Sequence, residues 1–264
     1  MDARARPAHR LGAHDRVDPH ARAAGGHRAI RRMSFEAIVL AGGKGTRLAP
    51  FTHVLPKPLL PVGERPILDL VLTQLSRAGC TKATMAVGHL GHLIEIYCGN
   101  GDRWGMEIGY FRETAPLGTV GALAQIDGLP DEPFVVMNGD VLSDLSFNQL
   151  LDVHGASDAA LTIGAFRRRE RDELGILDVD DAGALVAYRE KPEHEYLVSM
   201  GIYAFSAAAI ELIPAGERMD FPDLVQALLA ADRPVRTHTH SDYWLDLGRP
   251  DDFARANEEF EAVR

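Results

Sequence analysis

Residues 40–62, LAGGKGTRLAPFTHVLPKPLLPV, combine glycine with positive charge and contain no acidic residue. Three glycines at positions 42–45 allow the backbone to approach a ligand closely. Lys44, Arg47 and Lys57 add cations to the same stretch. Backbone N–H groups and cations that follow a strand bind anions, above all phosphates. The stretch therefore predicts a phosphate-binding loop.

Two familiar phosphate-binding motifs do not match this loop. A Walker loop requires G-x-x-x-x-G-K-[ST], whereas Lys44 here precedes Gly45. The dinucleotide fingerprint G-x-G-x-x-G does not match residues 42–47 either. The loop instead has a longer pattern, A-G-G-x-G-T-R-L-x-P followed by P-K-P-L-x-P-V.

The elements around the loop alternate between strands and helices. Short apolar runs predict strands, and apolar residues at helical spacing predict helices. In the first half, strands are predicted at 35–40, 82–88, 106–111 and 133–140, and helices at 66–79, 90–99 and 117–126. This alternation predicts an α/β fold with a mainly parallel mixed sheet flanked by helices.

The second half is less regular. Strands are predicted at 158–166, 175–180, 184–190, 199–205 and 234–240, and helices at 206–213, 221–231 and 250–263. A hairpin turn is predicted at 180–183, and the charged run 167–173 is expected to be a solvated loop. Residues 33–264 are expected to form one domain, whose first part ends at about residue 155.

Seven segments match, in order, the motifs of one enzyme family. They are AGGKGTRLAP (41–50), PKPLLPV (56–62), PLGTVGAL (116–123), NGDVL (138–142), EKP (190–192), MGIYAF (200–205) and WLDLGRPDD (244–252). The arrangement resembles the sugar-1-phosphate nucleotidyltransferases, also called NDP-sugar pyrophosphorylases, over about residues 35–260. PLGTVGAL looks most like the mannose- or heptose-1-phosphate guanylyltransferases. The resemblance implies a Rossmann-like catalytic domain at 33–264, with a nucleotide part at about 33–155 and a smaller sugar-binding subdomain at about 156–264.

The implied reaction is attack by a sugar-1-phosphate oxygen on the α-phosphorus of a nucleoside triphosphate, which expels pyrophosphate. Two anions must approach each other, so the site must supply positive charge and in-line positioning. By resemblance, Arg47 grips the triphosphate, Lys57 lies at the reacting phosphates, and Asp140 and Lys191 complete the catalytic set. The nucleotide-binding residues so implied are Leu40, Ala41, Gly42, Gly43, Gly45, Thr46, Arg47, Glu113, Pro116 and Gly118.

Two acidic residues are candidate metal ligands. Asp140 ends a predicted buried strand, which is where ligands bind in open α/β sheets. The resemblance makes Asp246 the family's second acidic position. Together they are expected to hold one Mg²⁺, which takes few carboxylates and keeps phosphate oxygens and water as its other ligands. Asp144 is nearby and is expected to be a helix cap.

Four histidines have spacings that could suggest zinc, namely His89, His92, His238 and His240. Neither pair has a cysteine or carboxylate partner at metal-site spacing. They are expected to be surface histidines or satisfied core histidines.

The sugar phosphate is assigned to a third group of residues. In the EKP element, the family uses the Glu (Glu190) on a sugar hydroxyl and the Lys (Lys191) on the sugar's phosphate. Gly175 is expected to leave room for the sugar. Many relatives read N-A-G-I-Y where this chain has Ser199, Met200 and Gly201 before Ile-Tyr. Because Ser199 is shorter than Asn, the acceptor stays open, with a heptose or a sugar-like cyclitol among the candidates.

Glu113 is the residue that bears on which nucleotide base is preferred. Thymidylyl- and uridylyl-type relatives tend to place Gln a few residues before the P-x-G turn, and Glu113 stands at that place. An ionised carboxylate only accepts hydrogen bonds. Guanine presents two adjacent donors on its pairing edge, whereas thymine and uracil present one donor between two acceptors. Glu113 therefore favours GTP.

Three alternatives stay open. The first is a thymidylyl- or uridylyltransferase acting on glucose-1-phosphate. The second is a catalytically silent regulatory paralogue, against which the retained cations and acids argue. The third is a glycosyltransferase that uses an NDP-sugar, which would normally show D-x-D where NGDVLSD offers D-x-x-x-D.

The composition indicates which binding partners and which cellular compartment to expect. Residues 1–32 hold eight Arg and three Asp and are expected to be a disordered or non-native basic extension. The remaining 20 basic and 35 acidic residues disfavour nucleic-acid binding. No apolar run is long enough to span a membrane. Two cysteines, Cys80 and Cys98, favour the reducing cytoplasm over a disulfide framework. Whether the chain forms a homo-oligomer stays open.

Overall fold

The elements of the fold come from a computed structural model that describes residues 34–248 and 250–262. The basic extension predicted for residues 1–32 lies outside the described residues. The strands are β1 (Phe35–Ala41), β2 (Pro61–Val62), β3 (Arg65–Pro66), β4 (Cys80–Val87), β5 (Glu107–Arg112), β6 (Phe134–Asn138), β7 (Val141–Ser143), β8 (Leu161–Arg171), β9 (Ile176–Val179), β10 (Leu185–Arg189), β11 (Glu193–Phe205), β12 (Val235–His240) and β13 (Trp244–Asp246). The helices are α1 (Ile67–Ala78), α2 (Gly91–Cys98), α3 (Phe147–Gly155), α4 (Ala207–Ile210), α5 (Phe221–Ala230) and α6 (Pro250–Ala262).

Seven strands form one mixed sheet in the order β12-β8-β11-β6-β1-β4-β5. The four strands β6, β1, β4 and β5 run parallel to one another, and β12 runs parallel to β8. Only β11 is antiparallel within this sheet, to both β6 and β8. The predicted α/β class with a mainly parallel mixed sheet is confirmed. Strands from both sides of the expected boundary at residue 155 share this sheet.

Alternate residues of β1 enter two different cores. Ala37 and Val39 pack in a cluster with residues of α1, α2 and α3, whereas Ile38 packs with residues of α4 and α5. This follows from the two-residue period of a strand, which sends successive side chains to opposite faces. The sheet is therefore covered on both faces, which explains why β1 is almost wholly apolar.

Helix α1 shows how local signals set these elements. Pro66 immediately precedes the helix, and Gly79 ends it with a left-handed φ of 103°. Five apolar side chains at helical spacing are fully buried against the sheet, namely Ile67, Leu68, Val71, Leu72 and Leu75. The predicted helix is confirmed because proline at the start, glycine at the end and the apolar stripe all agree.

The helix predicted at 117–126 is wrong in type and extent. Only Gly121–Gln125 is helical, as a short 3-10 segment. A methyl group on Gly121 would stand 2.7 Å from the carbonyl oxygen of Glu217, and one on Gly118 would stand 2.5 Å from that of Met219. Both glycines therefore serve close packing against a segment that is distant in sequence.

The loop predicted at 167–173 is also wrong, because β8 continues to Arg171. Arg169 Nε lies 2.8 Å from Glu195 Oε2, and Arg167 pairs with the other carboxylate oxygen of the same residue. The charges thus pair across a two-stranded ribbon of β8 and β11 and support a strand.

Asp144 is not a helix cap, contrary to expectation. Ser146 caps α3, and its hydroxyl accepts the Gln149 N–H at 3.3 Å. Asp144 Oδ1 instead accepts the Tyr243 N–H at 2.9 Å and lies 2.6 Å from His240 Nε2. Asp144 therefore holds the segment before β13.

Within the described part of the chain, no helix combines the length and apolar character needed to cross a membrane.

Candidate active site

A cleft of about 870 Å³ opens at the carboxyl ends of the four parallel strands β6, β1, β4 and β5. All ten residues predicted to bind the nucleotide line it, together with Lys57, Asp140 and Asp246. The structure thus brings together the predicted nucleotide and metal residues, at the edge of the sheet where open α/β folds place their ligands.

The glycine loop follows β1 and runs into a short 3-10 turn at Thr46–Leu48. Gly45 has a left-handed φ of 61°, and a methyl group there would stand 2.9 Å from Thr52 Cγ2 and 3.0 Å from Lys57 Cβ. The buried Thr52 hydroxyl donates to the Gly45 carbonyl oxygen at 3.0 Å. Glycine is required here both by φ and by the close approach of Lys57.

Lys57, Asp140 and Asp246 converge at one end of the cleft. Lys57 Nζ forms an ion pair with Asp140 Oδ2. A methyl group on Gly248 would stand 2.7 Å from Lys57 Nζ and 2.8 Å from Asp246 Oδ1. Strand β13 pairs with β7 so that Asp246 lies opposite Val141, and the Leu247 N–H donates to the Asp140 carbonyl oxygen at 3.1 Å. This small sheet holds the backbone of Asp246 next to that of Asp140.

The donor set at this end of the cleft fits Mg²⁺. No group of three or more His, Cys, Asp or Glu side chains suited to a metal occurs among the described residues. Asp140 and Asp246 both line the cleft and provide two carboxylates, a number that Mg²⁺ commonly takes from a protein beside substrate phosphates and water.

Glu113 follows β5 and reaches back over the glycine loop. A methyl group on Gly42 would stand 2.4 Å from Glu113 Oε1. Glu113 Oε2 accepts the Leu117 N–H at 3.3 Å, and the Glu113 N–H donates to the Val87 carbonyl oxygen at 2.9 Å. Burial raises the pKa of the Glu113 carboxyl, while the Leu117 N–H lowers it in part. The cleft thus contains a half-buried carboxylate next to the loop.

Several polar residues of the lining had no predicted role. Asn138 belongs to the NGDVL motif, so the motif itself was a signal. His89 is exposed and lines the cleft beside Gly88. Arg218 and Asp220 lie outside every recognised motif, and Arg218 Nη2 lies 3.0 Å from Asp220 Oδ2. No local signal could have found these two, since pairing with a distant segment brings them to the cleft.

The predicted sugar-phosphate residues are not in the lining of this cleft. They are Gly175, Glu190, Lys191, Ser199 and Gly201. Gly201, with a φ of 73°, packs on a lining residue, since a methyl group there would stand 2.5 Å from Asn138 Nδ2.

Gly175 and Glu190 form a group of their own around the β9–β10 hairpin. The Tyr188 hydroxyl donates to Glu190 Oε2 at 2.7 Å, and a methyl group on Gly175 would stand 2.3 Å from the Tyr188 hydroxyl oxygen. Lys191 is exposed and has a left-handed φ of 45°. The Ser199 hydroxyl donates to the Tyr203 hydroxyl oxygen at 3.2 Å.

Comparison with known proteins gives consistent matches. The model of the family described as "Nucleotidyl transferase" matches residues 36–263. Mannose-1-phosphate guanylyltransferase of Mycobacterium tuberculosis is 35% identical over 227 residues, covering 84% of this chain and 63% of that protein. UTP–glucose-1-phosphate uridylyltransferase of Synechocystis is 32% identical over 242 residues, covering 84% of this chain and 62% of that protein. The chain therefore spans less than two thirds of either relative.

Solved structures agree on the fold. The crystal structure of HddC from Yersinia pseudotuberculosis matches with a TM-score of 0.65 at 24% identity, covering 86% of this chain and 99% of that one.

Proposed function

The chain belongs to the nucleotidyl transferase family, and we propose that it transfers a nucleoside monophosphate, GMP from GTP by preference, to a sugar- or cyclitol-1-phosphate. Pyrophosphate is released and an NDP-sugar is formed. The observation that carries the proposal is the convergence of the glycine loop, Lys57, Asp140 and Asp246 in one cleft. Relatives described as mannose-1-phosphate guanylyltransferase and glucose-1-phosphate uridylyltransferase support the reaction class.

The proposed chemistry is an in-line displacement at the α-phosphorus. An oxygen of the sugar phosphate forms the new P–O bond, and the bond to the bridging oxygen of pyrophosphate breaks. Lys57 would offset the negative charge where the two phosphates meet, acting as a point charge. Arg47, exposed in the turn after the loop, would grip the triphosphate through its fork of donors.

Asp140 and Asp246 would hold Mg²⁺, which when bound supplies positive charge to phosphate oxygens and helps to orient them. The contribution of the chain is to fix the separation of the two carboxylates through the pairing of β7 with β13. The ion pair with Asp140 would keep the ammonium group of Lys57 beside the two carboxylates.

The preference for GTP rests on Glu113. Its carboxylate lies beside Gly42 in the cleft and, when ionised, offers only acceptor oxygens. Guanine can donate two adjacent hydrogen bonds to it, whereas the acceptors of uracil or thymine would be repelled. The uridylyltransferase relative keeps UTP as the competing candidate.

The sugar phosphate is assigned to Gly175, Glu190, Lys191, Ser199 and Gly201. Positive φ in a residue other than glycine costs free energy and is concentrated at functional sites, which supports a role for Lys191. We propose that Lys191 binds the phosphate of the acceptor and that Glu190 accepts from one of its hydroxyls.

The test is pyrophosphate release with Mg²⁺, with GTP, dTTP, UTP, ATP and CTP supplied in turn against hexose-, heptose- and cyclitol-1-phosphates. Release with GTP above the other nucleotides supports the full proposal. Release mainly with UTP or dTTP refutes the role of Glu113 and keeps the reaction class. No release from any pair, with a related guanylyltransferase as positive control, contradicts the enzymatic proposal and favours a silent regulatory paralogue.

A further inference from the structure

Two segments about 100 residues apart exchange hydrogen bonds at the wall of the cleft. Asp220 Oδ1 accepts the Thr119 N–H at 3.0 Å, and the Thr119 hydroxyl oxygen accepts the Phe221 N–H at 2.6 Å. Thr119 and Asp220 both line the cleft. Each segment thus donates one backbone N–H to a side chain of the other, so the two segments fix each other.

The backbones of the same segments are also joined. The Met219 N–H donates to the Leu117 carbonyl oxygen at 2.9 Å, and the Met219 carbonyl oxygen accepts from Val120 at 3.1 Å and Gly121 at 3.3 Å. Gly118 leaves no free space in this contact, because a methyl group there would stand 2.8 Å from Asp220 Oδ1. The segment 117–121 is therefore held by residues 217–221 rather than by a helix of its own.

The held segment also contacts Glu113. Leu117, whose carbonyl oxygen accepts from Met219, donates its own N–H to Glu113 Oε2 at 3.3 Å. Asp220 thereby constrains the segment that contains Thr119 and Leu117, and this segment constrains the Glu113 carboxylate, which is assigned to the base. These contacts join the N-terminus of α5 to the loop after β5.

We propose that Asp220 is a positioning residue for nucleotide selection, which holds residues 117–119 and through them Glu113 in the geometry that receives the base. The inference rests on the proposed function, since it assumes that Glu113 reads the base. Asp220 acts through the Thr119 amide and needs no contact with the nucleotide.

An effect of Asp220 on KM through the stability of α5 alone can be distinguished from the proposed positioning role. Asp220 is the N-cap residue of α5, and its N–H donates to the Asp223 carboxylate at 3.2 Å. Serine caps a helix about as well as aspartate but is one bond shorter, so Asp220→Ser keeps a capping residue and loses the reach to Thr119. Asp223→Ala is the converse control, because it weakens the helix end and leaves the Thr119 contact in place.

The experiment measures steady-state kinetics and amide hydrogen exchange on the full chain. With Asp220→Ser, we expect KM for the preferred nucleotide to rise about tenfold with little change in kcat, since an interaction equal in ground and transition states affects KM alone. KM for the sugar phosphate should stay constant, and exchange over 117–121 should become faster. Asp220→Asn retains an acceptor oxygen and should restore the wild-type KM.

Four results would overturn the inference. An unchanged nucleotide KM in Asp220→Ser would do so, as would an equal rise in Asp223→Ala. A rise of the same size in Arg218→Gln would assign the effect to the guanidinium that pairs with Asp220. The exchange data remain informative if no nucleotide supports activity, because unchanged protection over 117–121 in Asp220→Ser refutes the structural link itself.

Discussion

The Glu113 carboxylate lies against Gly42, so that a methyl group on Gly42 would stand 2.4 Å from Glu113 Oε1. The two residues come from loops that follow β1 and β5, the central and edge strands of the parallel part of the sheet. Because heavy atoms that are not bonded do not approach this closely, the carboxylate and any side chain at position 42 exclude each other. The geometry of Glu113 therefore depends on glycine at position 42.

Gly42→Ala should lower kcat/KM for the preferred nucleotide by at least about tenfold, because the added methyl group displaces Glu113 from its position. Gly155→Ala is the control, since no atom lies within 4 Å of a methyl group on Gly155 and this residue lies outside the cleft lining. Kinetics of pyrophosphate release for the two variants check this expectation. Equal losses in both would show that the displacement of Glu113 is not the cause.

Glu113→Gln should raise thermal stability at neutral pH by about 1–3 °C. Burial raises the pKa of Glu113 in the folded state, so the folded protein binds this proton more tightly than the unfolded chain does. The carboxylate therefore lowers stability as pH rises from the ordinary pKa of Glu through the raised one. In acid, where Glu113 is protonated in both states, the variant and wild type should melt together.

Melting curves across this pH range check the sign, with Glu107→Gln, which changes an exposed glutamate of β5, as control. A stability difference that grows toward acid would contradict the assignment. The same Glu113→Gln variant should shift nucleotide preference from GTP toward UTP or dTTP, because Gln can both donate and accept.

Lys57→Met should reduce kcat by about 100- to 1,000-fold, since it removes a fixed cation from the point where the phosphates meet. Lys82→Met removes a lysine that pairs with Glu36 at 3.5 Å on the edge away from the cleft, and it should leave kcat within about twofold. Single-turnover assays with both variants decide the matter. A small effect of Lys57→Met would place the reacting phosphates elsewhere.

Asp140→Asn and Asp246→Asn should each raise the Mg²⁺ concentration needed for half-maximal activity by about tenfold or more, because each removes one proposed charged ligand. Asp144→Asn is the control from the same stretch, since Asp144 contacts His240 and Tyr243 instead. Magnesium titrations of activity give the comparison. An unchanged Mg²⁺ requirement in both cleft variants would remove these carboxylates from the metal site.

The parts of the fold that could be predicted are those fixed by local pattern. The strands β1, β4 and β6 are apolar because both faces of the sheet are covered, and α1 is bounded by Pro66 and Gly79. Helix α3, which the apolar pattern did not predict, also has a local signal, since Ser146 and Gln149 stand at the spacing of a capping box.

The parts that could not be predicted depend on contacts between distant residues. The segment around Gly118 and Gly121 has a helical pattern but is held in another conformation by residues 217–221. The arginines of β8 form a charged run that is typical of a solvated loop. Their pairing with Glu195, which is distant in sequence, is what allows a strand. In the cleft, contiguous motifs identified the loop, Lys57 and both carboxylates, whereas Arg218 and Asp220 reach it only through tertiary pairing.

The sheet has a consequence for how this chain could be divided. Strand β6 from the first half pairs with β11 from the second, with Phe134 opposite Phe205. A fragment that ended at residue 155 would leave one edge of β6 unpaired and apolar, which is a template for aggregation. Fragment complementation should therefore require co-expression of both pieces, because the proposed nucleotide and sugar parts are not separable folding units.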